Sequence, residues 1–205
     1  RKRNLKKAMV VADHRMRATD IVRRVTGTLE SEGTGYYIYS EFKPNPTTAN
    51  VNQGAGEFSA NGCDFLISVG GGSAHDCAKA ISVVAACGGV IEDYRGVDKS
   101  SHTYPLIAVT TTAGTGSECT MDYVVVDEEK NEKYGNSDRN VLPVLAVDDW
   151  ELMMNMPASL TAGTGMDALT HAVEAYMSVD GALITSELAA TAVRMVFKHL
   201  ERAVL

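Results

Sequence analysis

The stretch "CDFLISVGGGSAHDCAKAISVVAAC", residues 63–87, constrains the fold more than any other part of the chain. Residues 65–69 form a short apolar run that passes directly into Gly70, Gly71 and Gly72. Apolar residues at helical spacing then continue to Cys87, and Gly88-Gly89 closes the segment. A run that is apolar throughout does not alternate between core and water. It suits a strand covered on both faces, as in a parallel sheet flanked by helices. The expectation is a strand–glycine–helix junction at the carboxyl end of a central strand.

The same pattern recurs along the chain. "KKAMVVAD" reads as a buried strand ending at Asp13, and residues 15–32 as one helix stopped near Gly33. "YYIYS" is a second strand. "PNPTTANV" is a turn and a helix start, with Pro46 near the first helical position. "PLIAVTTTAGTGSE" repeats the passage from strand to Gly/Thr loop, and "LPVLAV" adds a further strand. From Pro157 onward only helical signals remain. The chain therefore divides into an α/β domain over 1–156, with a parallel sheet, and the beginning of an all-helical domain over 157–205. "ITSELAATAVRMVFKHLERAVL" keeps its helical period with no cap signal before the sequence stops, and residue 1 is Arg. The expectation is a fragment of a longer protein, with the rest of the helical domain absent.

Composition narrows the function classes. Hydrophobic residues are 45% and charged residues 22%, the profile of a globular chain. A net charge of -7 argues against a nucleic-acid partner, which needs a basic face. No apolar run reaches the roughly 20 residues that span a bilayer. The 4 cysteines form no C-x-x-C pair. Cys77 and Cys87 fall in an apolar helical pattern and read as buried free thiols, which suits the cytoplasm.

In "SVGGGSAHDCAK" three glycines remove every Cβ, so a phosphate can approach the backbone, and the following helix aims its N–H groups and positive dipole end there. The motif is neither G-x-G-x-x-G nor a G-K-[ST] P-loop. A local alternative is a capping box between Ser73 and Asp76, and the two readings are compatible. "TTTAGTGSE" offers the hydroxyls of Thr111, Thr112 and Thr115 beside Gly114 and Gly116, or is an ordinary polar turn. Two such loops after two strands favour a dinucleotide crevice. Asp13 either accepts a bond from a ribose 2′-OH or is a turn aspartate.

"TAGTGMDALTHAVEAY", residues 161–176, sets Met166, Leu169, Val173 and Tyr176 on one helical face, with Asp167, His171, Glu174 and Ser178 on the adjoining stripe. Asp167 and His171 at i, i+4 are either a solvated stripe or half of a metal site. Carboxylate plus imidazole suits Fe²⁺ or Zn²⁺, but two ligands are too few.

Taken together, "GGGSAHDCAK", "TTTAGTGSE" and "GMDALTHAVEAY", in this order and spacing, resemble the iron-dependent (group III) alcohol dehydrogenases. With "EDYRGVD" they are most similar to the branch containing 1,3-propanediol dehydrogenase and NAD-dependent methanol dehydrogenase. The resemblance covers essentially the whole chain. It implies a dehydroquinate synthase-like architecture: a Rossmann-like nucleotide domain, then a helical metal-bearing domain, with the active site between them. It makes Asp13 the ribose-selecting acid and places Asn45 in the cofactor pocket. It sets Gly71, Gly72, Ser73 and Asp76 at the pyrophosphate, lines the cofactor cleft with Thr111, Thr112 and Thr115, and brings Lys133 to the ribose. Asp167 and His171 become two of four metal ligands and the catalytic pair. The other two, both histidines, lie further on in the family, and His199 is not at a matching position. His14, His75 and His102 read as surface or supporting residues rather than ligands. One departure is "YGNSD" after Lys133, where the family continues with an apolar strand, and it weakens both the Lys133 assignment and the expectation of a strand here.

The implied activity is reversible hydride transfer between a primary alcohol or diol, or its aldehyde, and NAD, assisted by Fe²⁺ or Zn²⁺ as Lewis acid. The implied protein is a cytoplasmic homo-oligomer, a dimer, with no membrane or nucleic-acid partner. The alternatives are a zinc glycerol dehydrogenase or dehydroquinate synthase-like enzyme on the same fold, and a catalytically incomplete nucleotide-binding fragment.

Overall fold

A computed structural model describes residues 5–205. Among these described residues seven strands and six α-helices follow in the order β1 (Lys7–Val11), α1 (His14–Arg17), α2 (Asp20–Ser31), β2 (Gly35–Tyr39), α3 (Thr48–Ala60), β3 (Phe65–Gly70), α4 (Gly72–Cys87), β4 (Leu106–Thr110), β5 (Asp122–Asp127), β6 (Glu132–Ser137), β7 (Leu145–Val147), α5 (Ala158–Met177) and α6 (Leu183–Val204). The chain forms two compact units. One holds the chain up to Thr111 together with Ser117–Asp148, and the other holds Thr112–Gly116 with Asp149–Leu205.

In the first unit, β2-β1-β3-β4-β7 form a five-stranded sheet in that order. Every pairing in it is parallel. All six residues of β3 are buried, as expected of a central strand that is apolar but for Ser68. The chain passes from β1 to β2 on one side and then crosses to β3 on the other. The order therefore reverses between β1 and β3, and open parallel sheets bind ligands outside such a reversal point, at the carboxyl ends of the strands.

The helix after β3 is buried around most of its circumference, from Ala74 to Val84. Its polar side chains therefore need internal partners. Ser82 Oγ accepts from the Tyr104 N–H at 2.9 Å and donates to the Tyr104 carbonyl at 3.1 Å. His75 Nδ1 lies 2.7 Å from Ser68 Oγ on β3. Burial, and then the charge of Lys79, push the His75 imidazole down to about 4, so it is neutral near pH 7.

Four local expectations are corrected. The helix expected over 15–32 is two helices, because Thr19 is extended (φ -82°, ψ 162°) and its hydroxyl turns back to the Met16 carbonyl at 2.7 Å. The first strand ends at Val11, and Asp13 is the N-cap of α1. Pro46 precedes the helix start: Thr47 is the N-cap, in a capping box with Asn50. Residues 132–137, where "YGNSD" weakened the expectation of a strand, pair antiparallel with β5 over six residues. Pairing with β5 overrides the polar composition. Tyr134 carries the guanidinium of Arg95 3.8 Å from its ring centroid, and Asn136 is buried.

In the second unit, α5 and α6 pack against each other at Gly165. A Cβ there would lie 3.0 Å from Leu200 Cδ2 and closer still to its Cδ1, so only glycine fits without movement of Leu200. The apolar face expected of α5 is present but uncovered: Met166 is 53% and Tyr176 59% exposed. No helix among the described residues is long and apolar enough to cross a membrane.

Candidate functional site

The carboxyl ends of β1 and β3 flank the reversal point of the sheet, and the predicted phosphate loop lies there. Gly70 has φ +152°, and a Cβ on it would come 2.9 Å from Ala74 Cβ. The backbone is therefore held in a form side chains avoid, close against the first turn of α4. Gly71 is the N-cap, and no side chain caps the helix. The expected capping box is absent, because the helix starts two residues too early for it, with Gly71 as N-cap. Ser73 and Asp76 are already inside α4, and their side chains go elsewhere. Ser73 Oγ accepts from the Asn45 N–H at 3.1 Å. The Asp76 carboxylate accepts from Ser117 Oγ at 3.0 Å and from the Val124 N–H at 3.2 Å. Burial pushes the Asp76 carboxyl upward, and Lys79 and these donors oppose that rise.

Asn45 ties three predicted residues together. Its backbone sits at φ +56°, unusual outside glycine and best tolerated by Asn and Asp. Its N–H binds Ser73, and its side-chain oxygen accepts from Lys133 Nζ at 3.1 Å. The chain Ser73–Asn45–Lys133 thus joins α4, the turn before α3, and β6. The strand at 132–137 is what delivers Lys133.

The Oδ1 atom of Asp13 accepts from the Arg15 N–H at 2.8 Å and the Met16 N–H at 2.9 Å. These are the bonds of a capping aspartate, and both fall on one carboxylate oxygen. The Thr111 N–H donates to the Gly70 carbonyl at 3.0 Å, which pins the start of the second loop to the first. Thr112 and Thr115 belong to the segment assigned to the second unit.

Composition-based reading missed Ser117, Thr120 and the β5 backbone as partners of α4. The available signal was Lys79 itself, a lone cation in an otherwise buried helix. Its Nζ donates to the Ser117 carbonyl at 2.7 Å and the Asp122 carbonyl at 2.8 Å. Of the other histidines, His14 and His102 are exposed and His75 is buried against Ser68. Cys77 is buried, whereas Cys87, also expected to be buried, is only half-buried and donates to the His102 carbonyl at 3.3 Å.

In the second unit, Asp167 Oδ1 and His171 Nε2 lie 3.9 Å apart on neighbouring turns of α5, each about half exposed. Two donors on one ion at about 2.0–2.2 Å each are roughly 3.4 Å apart in tetrahedral geometry. Closing the pair by about half an ångström is within side-chain reach, so both groups fit a shared divalent ion. Among the described residues, one group of three has potential ligand atoms within 4.8 Å of one another, Glu118, Cys119 and Asp148. It shares no residue with the α5 pair.

The fold defines an open α/β protein with a parallel sheet whose reversal point carries a glycine loop, followed by a helical unit. Comparison with known proteins assigns the rest. The family described as iron-containing alcohol dehydrogenase matches residues 1–150, and the C-terminal region of the Fe-containing alcohol dehydrogenase family matches residues 161–205. The chain belongs to the iron-containing alcohol dehydrogenase family. Alcohol dehydrogenase 4 of Schizosaccharomyces pombe is 46% identical over 97% of this chain and 47% of its own length. The NAD-dependent methanol dehydrogenase of Bacillus methanolicus is 40% identical over 97% of this chain and 52% of its own length. A solved 1,3-propanediol oxidoreductase superposes with TM-score 0.94 at 39% identity, over 98% of this chain and 53% of that one. The chain spans about half the length of these relatives, and its fold is the dehydroquinate synthase-like fold of the family.

Proposed function

We propose that this chain carries the NAD-binding machinery and part of the metal-binding machinery of an alcohol dehydrogenase acting on a primary alcohol or diol. Residues 1–156 serve as the NAD domain, and 157–205 as the beginning of the helical metal-binding domain. One observation carries the reading: a glycine loop and an N-terminus without a side-chain cap, on a 16-residue helix, at the reversal point between β1 and β3. The NAD-dependent relative and the family assignment support it.

When bound, NAD accepts or returns a hydride and a divalent ion, Fe²⁺ or Zn²⁺, acts as Lewis acid toward the alcohol oxygen. The chain's own residues bind and orient. Gly71, Gly72 and Ser73 present backbone N–H groups and a helix dipole to the pyrophosphate. Asn45 and Lys133, already paired, face the ribose, with the ammonium as donor. Thr111, Thr112 and Thr115 line the cofactor's path, and Asp76 acts by holding Ser117 and β5 in place. Asp167 and His171 hold the ion, which takes its further ligands from other residues. Four free thiols support a cytoplasmic setting. A homo-oligomeric state, a dimer, completes the proposal, with a small alcohol or aldehyde as substrate.

Asp13 gives the sharpest test. Its carboxylate is to bind the ribose diol and oppose a 2′-phosphate, worth about 1–3 kcal/mol as a charged hydrogen bond. Calorimetric titration should show NAD⁺ binding more tightly than NADP⁺. Asp13→Gly should narrow the gap mainly by improving NADP⁺. An unchanged ratio makes Asp13 a helix cap only.

A further inference from the structure

The buried carboxylates of the sheet unit have partners. Asp76 accepts from Ser117 Oγ and the Val124 N–H. Asp127 is held by Arg95 and Lys130. Asp138 accepts from the N–H groups of Ser100 and Asn140. Glu118, with Cys119 and Asp148 beside it, departs from this pattern. Glu118 Oε2 is buried and has no hydrogen-bond partner among the described residues. No ion pair among those residues reaches any of the three. Yet their ligand atoms all lie within 4.8 Å of one another.

Adjacent residues point apart on a regular helix or strand. Glu118 and Cys119 instead converge, on the single 3₁₀ turn Ser117–Cys119. Asp148 comes to them from the carboxyl end of β7, the short strand at the edge of the sheet. Two carboxylates and a thiol gathered without a donor repel one another, and the buried oxygen adds a desolvation cost. Lys79 lies within their field, but its Nζ is already bonded to oxygens of Ser117, Thr120 and Asp122. Burial, and then Glu118 and Asp148, push the Cys119 thiol up, as a local excess of negative charge requires. A hydrogen-bond donor answers one such group. A divalent cation answers all three at one point.

We infer that Glu118, Cys119 and Asp148 form a further metal site, which takes a thiophilic divalent cation of the Zn²⁺ class and ties the 3₁₀ turn to the end of β7. It is independent of the α5 pair and of the NAD reading. Thiolate with carboxylates selects Zn²⁺ over Mg²⁺ and Ca²⁺. Ligand atoms around Zn²⁺ are about 3.4–3.6 Å apart, so the group closes by about 1 Å, and Cys119 and Asp148, both exposed, can turn to do so. The thiol proton leaves to solvent as the metal–sulfur bond forms. Water completes the coordination, and with two exposed ligands to order the binding is weak.

The test is Co²⁺ titration of the reduced 205-residue chain, with circular-dichroism melts of every variant. Co²⁺ occupies Zn²⁺ sites, and a bound thiolate gives a near-ultraviolet charge-transfer band. The α5 pair has no sulfur, so its metal-binding step carries no such band. The wild-type chain should show a saturable band that Zn²⁺ bleaches and excess Mg²⁺ does not. Cys119→Ala should abolish it, and His171→Ala should leave it unchanged. Glu118→Gln and Asp148→Asn should each weaken Co²⁺ at least about 10-fold, since even groups that only support a ligand cost about 10–100-fold. Should Glu118→Gln fail to fold, the exposed Asp148→Asn decides by the same reading. No band in the wild type overturns the inference. So does a band that survives Cys119→Ala, that is lost in His171→Ala, or that keeps its wild-type affinity in the folded carboxamide variants.

Discussion

The two units bury their apolar residues very differently. In the sheet unit β1 and β3 are covered on both faces, and Met9, Val10, Leu66, Ile81 and Val83 are inaccessible or nearly so. In the helical unit Ala172 and Ala189 are the buried residues of α5 and α6, while Leu183 is 82% and Phe197 75% exposed. Helical periodicity is clearer in α6 than in α4, which is apolar on most sides. It reveals that a helix has an apolar face and is silent about what lies against it. The sheet unit closes its core within itself. In the helical unit the close approaches are α5 against α6 at Gly165 and Leu200, and the Gly114 backbone against Thr164.

That contrast can be broken most sharply by truncation. Ile81→Ala should destabilise the sheet unit by about 2–5 kcal/mol, the range for a large-to-small change in a closed core. Tyr176→Ser in the helical unit should stay within about 0.5 kcal/mol, as for exposed positions. Urea titration followed by near-UV circular dichroism, which reports the buried Tyr39 and Tyr123, checks the first. Far-UV helicity checks the second. Equal losses at the two sites mean that the helical face is covered after all.

A pH series sharpens the same comparison. The His75 imidazole has a folded value of about 4 against an ordinary 6.5, so the unfolded chain takes up the proton first as pH falls. The stabilisation is complete above about 6.5 and is lost as pH drops towards 4, by about 3 kcal/mol at 1.36 kcal/mol per unit. Asp76 works the other way, because its raised carboxyl takes up a proton earlier in the folded state, and it offsets part of the loss. His75→Gln should flatten the slope in urea midpoints between pH 7 and 4.5. A slope unchanged by that substitution assigns it to other groups.

The α5 pair predicts a smaller effect. With two donors only, the chain should bind Zn²⁺ weakly, and His171→Ala should weaken it about 10-fold further while leaving NAD⁺ binding unchanged. Zinc titration of both forms measures this. Equal affinity in the two places the metal elsewhere, with Glu118, Cys119 and Asp148 the next group to test.

Much of the fold was legible because it follows from local pattern. The apolar run 65–69 could only be a covered strand, and the glycines after it could only be a junction. The contents of the site were less so, because its bonds join distant segments. Asn45 and Lys133 are 88 residues apart and meet because β6 pairs with β5, a pairing that "YGNSD" does not announce. Ser73 and Asp76 have capping-box spacing, yet the helix begins at Gly72 and sends them to Asn45 and Ser117 instead. Asp13 caps α1 through Oδ1 and is also the proposed ribose acid, and local sequence had no means of separating the two roles.

The central claim is that the glycine junction at the β1/β3 reversal holds the pyrophosphate of NAD. Gly71→Asp tests it most directly. Gly71 is the N-cap of α4 at φ -91°, ψ -165°, a conformation open to any residue, and aspartate is among the best N-caps. The substitution should therefore leave the melting temperature of the sheet unit unchanged or raise it, while placing a carboxylate where the phosphates would lie. Titration calorimetry should show NAD⁺ affinity reduced at least 30-fold in a chain that is as stable as wild type or more so. NAD⁺ binding at wild-type strength in that stable variant would contradict the account.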